Sequence, residues 1–158
     1  MIDGSGPFLN RLEELVARVE RLVPSDLPHA PDWGASAAFR YRRRRSGLGR
    51  LEPVRHLSAL TLADVCEVDS QKEKIVRNTQ RFVSGQPANN VLLTGARGTG
   101  KSSLIKACLN AFSDQGLRLI EVDKDDLIDL PDLIDLVADR PERFIVFCDD
   151  LSFDDGES

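Results

Sequence analysis

Gly95-Ala96-Arg97-Gly98-Thr99-Gly100-Lys101-Ser102 constrains this chain more than any other stretch, because it satisfies G-x-x-x-x-G-K-[ST] at every fixed position. A phosphate loop of this kind needs a strand before it and a helix after it. The flanks comply: Asn90-Val91-Leu92-Leu93-Thr94 reads as a short buried strand, and Leu104, Ile105, Cys108, Leu109 and Phe112 recur at helical spacing. Glycines 95, 98 and 100 let the backbone wrap an anion and tolerate positive φ. The N–H groups of residues 96–103, at the positive end of a helix macrodipole, then converge on phosphate. Gly95 through Ser103 are therefore the candidate nucleotide-binding residues. Lys101 adds a full charge toward the outer phosphates, and Ser102 offers a hydroxyl oxygen to Mg²⁺, a hard cation. A glycine-rich turn that binds nothing is the alternative.

A second element fits the first. Phe144-Ile145-Val146-Phe147-Cys148 is an uninterrupted apolar run, read as a fully buried parallel strand, and Asp149-Asp150 follow it. Ligands of open α/β sheets bind at the carboxyl ends of the strands. Residues 144–150 thus read as a Walker B strand, with 95–102 as Walker A. Asp149 holds Mg²⁺ directly or through water, while Asp150 orients or deprotonates the attacking water. Lys101 and Asp150 are the candidate catalytic residues. By itself the pair would read as a solvated strand end.

On these motifs, on Leu62-Ala63-Asp64-Val65 and Gln71-Lys72-Glu73, on the run 88–103, on Leu117-Arg118-Leu119-Ile120-Glu121-Val122 and on Phe147-Cys148-Asp149-Asp150-Leu151, residues 50–158 resemble the AAA+ ATPases. The similarity is closer to a bacterial family of that superfamily labelled a domain of unknown function. It implies a three-layer α/β fold around a parallel sheet, incomplete at the C-terminus and preceded by a helical extension. It also implies Mg²⁺ with ATP as cofactor, hydrolysis to ADP and phosphate at subunit interfaces of a homo-oligomeric ring, and a loop near Val65–Val68 beside the adenine. One departure is Glu67, where such loops often carry glycine. The same pattern sets a further strand, carrying a sensor residue, between the phosphate-loop strand and the Walker B strand. That strand, the arginine finger and the helical lid would lie beyond Ser158. A finger contributes about 10³–10⁵ in rate, so little turnover is expected of these residues alone.

Charge is segregated: residues 1–60 carry ten Lys/Arg against seven Asp/Glu, and residues 61–158 carry eleven against nineteen. The basic surplus lies in Arg40-Tyr41-Arg42-Arg43-Arg44-Arg45, which could meet nucleic acid. A solvated or partner-facing strand segment is the preferred reading, because the acidic remainder repels a polyanion. With 41% hydrophobic and 30% charged residues the chain is expected to be globular. Cys66, Cys108 and Cys148 lack disulfide or metal spacing and suit a reducing cytoplasm, and no run is long enough to span a bilayer.

Three segments are expected. Residues 1–23 carry an amphipathic helix on Phe8, Leu9, Leu12, Leu15, Val16, Val19, Leu22 and Val23; 24–50 form a Pro/Ala-rich, then Arg-rich linker in which Trp33 could anchor to the core; 51–158 are the ATPase part. Downstream, a helix runs from Asp69 to Val83 and ends near Gly85, a strand spans 117–122, and 127–137 form one helix or two broken near Pro131. The aspartates of 123–139 read as a solvated face. Two rival functions remain. One is another phosphate-loop enzyme, a small-molecule kinase or a GTPase, although Ser152 and Phe153 stand where a GTPase pattern wants glycine. The other is a non-catalytic interaction piece.

Overall fold

The computed structural model describes residues 30–43, 49–66, 69–93 and 100–149, together with 11, 14–16 and 18. Four strands form one sheet: β1 (Ala38–Arg43), β2 (Gly49–Pro53), β3 (Leu117–Glu121) and β4 (Arg143–Phe147), in the order β2-β1-β3-β4. β1 pairs antiparallel with β2, whereas β1–β3 and β3–β4 are parallel. Helices α1 (Asp69–Val83), α2 (Lys101–Phe112) and α3 (Leu130–Val137) complete the α/β architecture.

Alternation along β1 explains why an arginine-rich run sits inside a sheet. Phe39 and Tyr41 are 0% and 1% exposed on one face, while Arg40 and Arg42 emerge on the other. Stretch 24–50 is thus not linker throughout, since β1 and the start of β2 lie within it. The strand's two aromatics outweigh its charges because a pleated strand buries one face without burying the other. Trp33 is buried and packs edge-on against Phe39 and Phe144, at ring centroid separations of 4.9 and 4.8 Å.

Both sheet faces are covered. Trp33, Phe39, Tyr41, Leu51, Ile120, Val122 and Leu133 form the core on the α3 side. On the α2 side Ala38, Leu117 and Leu119 meet Leu109 and Phe112. A satellite cluster of Val65, Ile75, Leu104, Ala107 and Cys108 joins α1 to α2. This is a three-layer arrangement, and it orients α2 with its first turn at the carboxyl ends of β3 and β4. α1 ends as expected, with Gly85 at φ 74°. The 127–137 region resolves into a 3-10 turn over Lys124–Asp129 followed by α3, with Pro131 in the first turn, where a missing N–H costs nothing. Within 1–23, Arg11, Glu14–Val16 and Arg18 are helical, with Leu15 and Val16 half exposed.

Two strand expectations are corrected. Residues 90–93 join no ladder among the described residues, and Val91 and Leu92 are 51% and 67% exposed rather than buried. β4 is half-buried along its length, not fully enclosed. A strand is held and covered by its neighbours, and among the described residues β4 pairs with β3 while 90–93 pair with no strand. No helix among the described residues is long and apolar enough to cross a membrane.

Candidate functional site

The site is assembled at the start of α2. Gly100 is its N-cap, in the left-handed region at φ 79°, and accepts the first helical bond from the Leu104 N–H at 2.9 Å. Among the described residues no side-chain cap bond is made at this end, and the first turn carries no acidic residue, whereas α1 opens on Asp69. A Cβ at Gly100 would meet nothing within 4 Å, so the glycine is required for its backbone angle and not for space. Gly100→Ala is accordingly expected to cost about 1–2 kcal/mol in chemical denaturation, with Gly100→Asn recovering part of it.

Ser102, on the first turn of α2, donates from Oγ to Oδ2 of Asp149 at 2.6 Å. Asp149 stands two residues beyond the end of β4, whose last carbonyl, on Phe147, accepts from Val122 N–H at 2.9 Å. Two motifs 47 residues apart in sequence thereby meet at one point. The loop residues Gly95, Ala96, Arg97, Gly98 and Thr99, and also Asp150, lie outside the described residues, as do Glu67 and Val68 of the adenine-side expectation. Val65 is described: it is buried against the α1–α2 cluster, and its carbonyl accepts from Lys72 Nζ at 3.1 Å. Upstream of the loop, Asn78 clasps Asn89 through two hydrogen bonds. Asn78 Nδ2 donates to the Asn89 carbonyl at 2.8 Å, and Asn89 N–H donates to Asn78 Oδ1 at 3.0 Å. An amide side chain thus supplies the paired bonds that a neighbouring strand would give, tethering the approach to the loop to α1.

Beside Asp149 an open cleft of about 280 Å³ is lined by Arg40, Arg42, Lys106, Glu121, Phe147 and Asp149, among others. It opens at the carboxyl ends of three parallel strands. Arg40 donates from Nε and Nη2 to Glu121 Oε2 at 3.1 and 2.8 Å, and this bond, followed by the charge behind it, raises its pKa and holds it cationic. Arg43 faces the other way, 3.6 Å from Asp129, whose carboxylate also accepts from Tyr41 Oη at 2.8 Å. Burial first, and the Asp129 bond second, push the Tyr41 hydroxyl upward and keep it protonated. The arginine run is therefore spent in part on carboxylates of its own chain. Cys66, Cys108 and Cys148 are free thiols, and burial drives Cys108 up to about 11.

Sequence reasoning did not single out Arg40, Lys106 and Glu121 as neighbours of the site. A signal existed for Lys106, four residues after Ser102 and hence on the same helical face. None existed for Arg40 and Glu121, which are 81 residues apart and meet only through the β1–β3 pairing.

Comparison with known proteins adds two positive findings. A nucleotide-binding protein of Koribacter versatilis (strain Ellin345) is 37% identical over 73 residues, covering 46% of this chain and 22% of that protein. The chain thus aligns with less than a quarter of that relative's length. No solved structure matches. The family model described as "Protein of unknown function (DUF815)" matches residues 34–158, well over half of the chain. By that match, which takes in the whole sheet, α1 to α3 and both motifs, the chain belongs to this family.

Proposed function

We propose that this chain binds ATP with Mg²⁺ and forms part of an AAA+ type ATPase that hydrolyses ATP in its complete, oligomeric form. The contact of Ser102 Oγ with Asp149 Oδ2 carries this reading. A hydroxyl and a carboxylate oxygen brought together at the start of a helix are two hard donors beside a phosphate-attracting end. Both residue types fit Mg²⁺. The Koribacter relative, named a nucleotide-binding protein, supports the nucleotide part of this reading.

In this reading the α2 N–H groups and Lys101 bind and orient the phosphate chain, with the Gly95–Thr99 backbone completing the cradle. Ser102 and Asp149 hold the metal, and Asp150 positions a water. When bound, Mg²⁺ neutralises charge on the phosphate oxygens. The fold's contribution is preorganisation, since β4 and α2 hold Asp149 and Ser102 in place before any ligand arrives.

Calorimetry tests the metal assignment. Wild-type protein is expected to bind ATP more tightly with Mg²⁺ than with EDTA, and Ser102→Ala to lose about tenfold of that enhancement while metal-free binding is unchanged. Equal Mg²⁺ dependence in the two proteins would remove Ser102 and Asp149 from the metal site.

A further inference from the structure

We propose that Asn78 of α1 is a positioning residue for the nucleotide site, holding in place the segment that leads into the phosphate loop. The inference rests on the nucleotide reading and adds to it a residue that acts through the backbone of Asn89.

Residues 89–93 run toward Gly95 without a strand beside them among the described residues. They are held at two points instead. At the near end Asn78 takes both backbone groups of Asn89: its Nδ2 donates to the carbonyl at 2.8 Å, and its Oδ1 accepts from the N–H at 3.0 Å. At the far end Leu93 packs against the cluster of Val65, Ile75, Leu104, Ala107 and Cys108 that joins α1 to α2. Val91 and Leu92, between these points, are exposed. The turn that closes α1 makes the clasp possible. The N–H groups of Ser84, Gly85 and Gln86 donate to the carbonyls of Gln80, Phe82 and Arg81 in turn, with Gly85 at φ 74°, and the chain comes back along the helix to Asn78.

Downstream, the loop sequence ends on Gly100 and α2. Both ends of the loop are thus referred to one packed helix pair, and their separation is set before a ligand arrives. A ligand that meets preset ends spends less of its binding free energy on ordering them. Asn78 shares its side of α1 with the buried Ile75 and Thr79, a place where asparagine does little for the helix itself. Alanine there would suit the helix better and would give up two exposed bonds that water replaces, so the contribution of Asn78 lies in what it holds.

Mg-ATP is titrated into wild type, Asn78→Ala and Asn89→Ala, and backbone hydrogen exchange is followed in the ligand-free proteins. Asn89→Ala is the control, because Asn89 gives only its backbone to the clasp. Asn78→Ala is expected to bind Mg-ATP about tenfold more weakly, to exchange faster over 89–93 and to unfold near the wild-type midpoint, with Asn89→Ala matching wild type in all three. Asn78→Asp keeps the acceptor for the Asn89 N–H but loses the donor, and its affinity should fall between Asn78→Ala and wild type. Wild-type affinity in Asn78→Ala overturns the positioning role, and so does an affinity loss that comes with faster exchange throughout α1 and β3. A wild type that binds no Mg-ATP overturns the nucleotide reading and the positioning role with it, and faster exchange over 89–93 in Asn78→Ala sets that result apart from a failure of the clasp.

Discussion

Lys101→Ala is expected to weaken Mg-ATP binding by about 10- to 150-fold, the equivalent of about 1.5–3 kcal/mol for hydrogen bonds to a charged group. Lys101 is the first residue of α2, so alanine there removes an ammonium from the N-terminal end of the helix. Alanine is the best helix former, and the loss should leave the far-UV spectrum and thermal midpoint close to wild type. Titration calorimetry reads the affinity and circular dichroism the fold. Unaltered ATP affinity in a folded variant would leave the non-catalytic interaction piece as the better account. Lys101→Arg separates charge from shape: a planar guanidinium keeps the positive charge but not the compact ammonium, so it should restore only part of the affinity.

Phe39→Ala carries the largest expected effect on stability, about 3–5 kcal/mol. Phe39 is fully buried in the interior strand β1, edge-on to Trp33, and its backbone is opposite Pro53 on one side and Ile120 on the other. Removing the ring opens a cavity at the centre of the α3-side core, where strands on both flanks resist collapse. With a midpoint shift of about 2–4 °C per kcal/mol for a chain of this size, thermal unfolding should fall by about 6–20 °C. Its neighbour Arg40 offers a contrast within the same strand. The Arg40–Glu121 pair is 47% and 20% exposed at the side chains, so Arg40→Ala should cost no more than about 1 kcal/mol. Equal losses at 39 and 40 would mean that β1 does not alternate between core and cleft.

The motif end of the site was legible in the residues because its chemistry is local. A glycine at φ 79°, a lysine and a serine in consecutive positions need only a helix to begin there, and α2 does begin at Lys101. α1 was legible for a similar reason, bounded by Asp69 and by a left-handed glycine at 85. The run at 90–94 misled because hydrophobicity records what a segment is suited to pair with, not whether the partner strand is beside it; Leu92 is 67% exposed. The arginine run was read as a solvated or partner-facing strand segment, and β1 is a strand with Arg40, Arg42 and Arg43 exposed. What the linker reading of 24–50 missed is its place in the sheet: Phe39 and Tyr41 at alternate positions seat the strand between β2 and β3.

By itself the sequence determined the local frame of the candidate site, since helix start, a left-handed glycine and apolar periodicity act over a few residues. Tertiary structure alone decided which distant groups share that site. Ser102 reaches Asp149 across 47 residues, and Arg40 reaches Glu121 across 81, only because parallel pairing of β1, β3 and β4 brings their carboxyl ends to one edge. Strand order is set by how apolar faces are covered over the whole sheet, a long-range balance that no short window of residues contains.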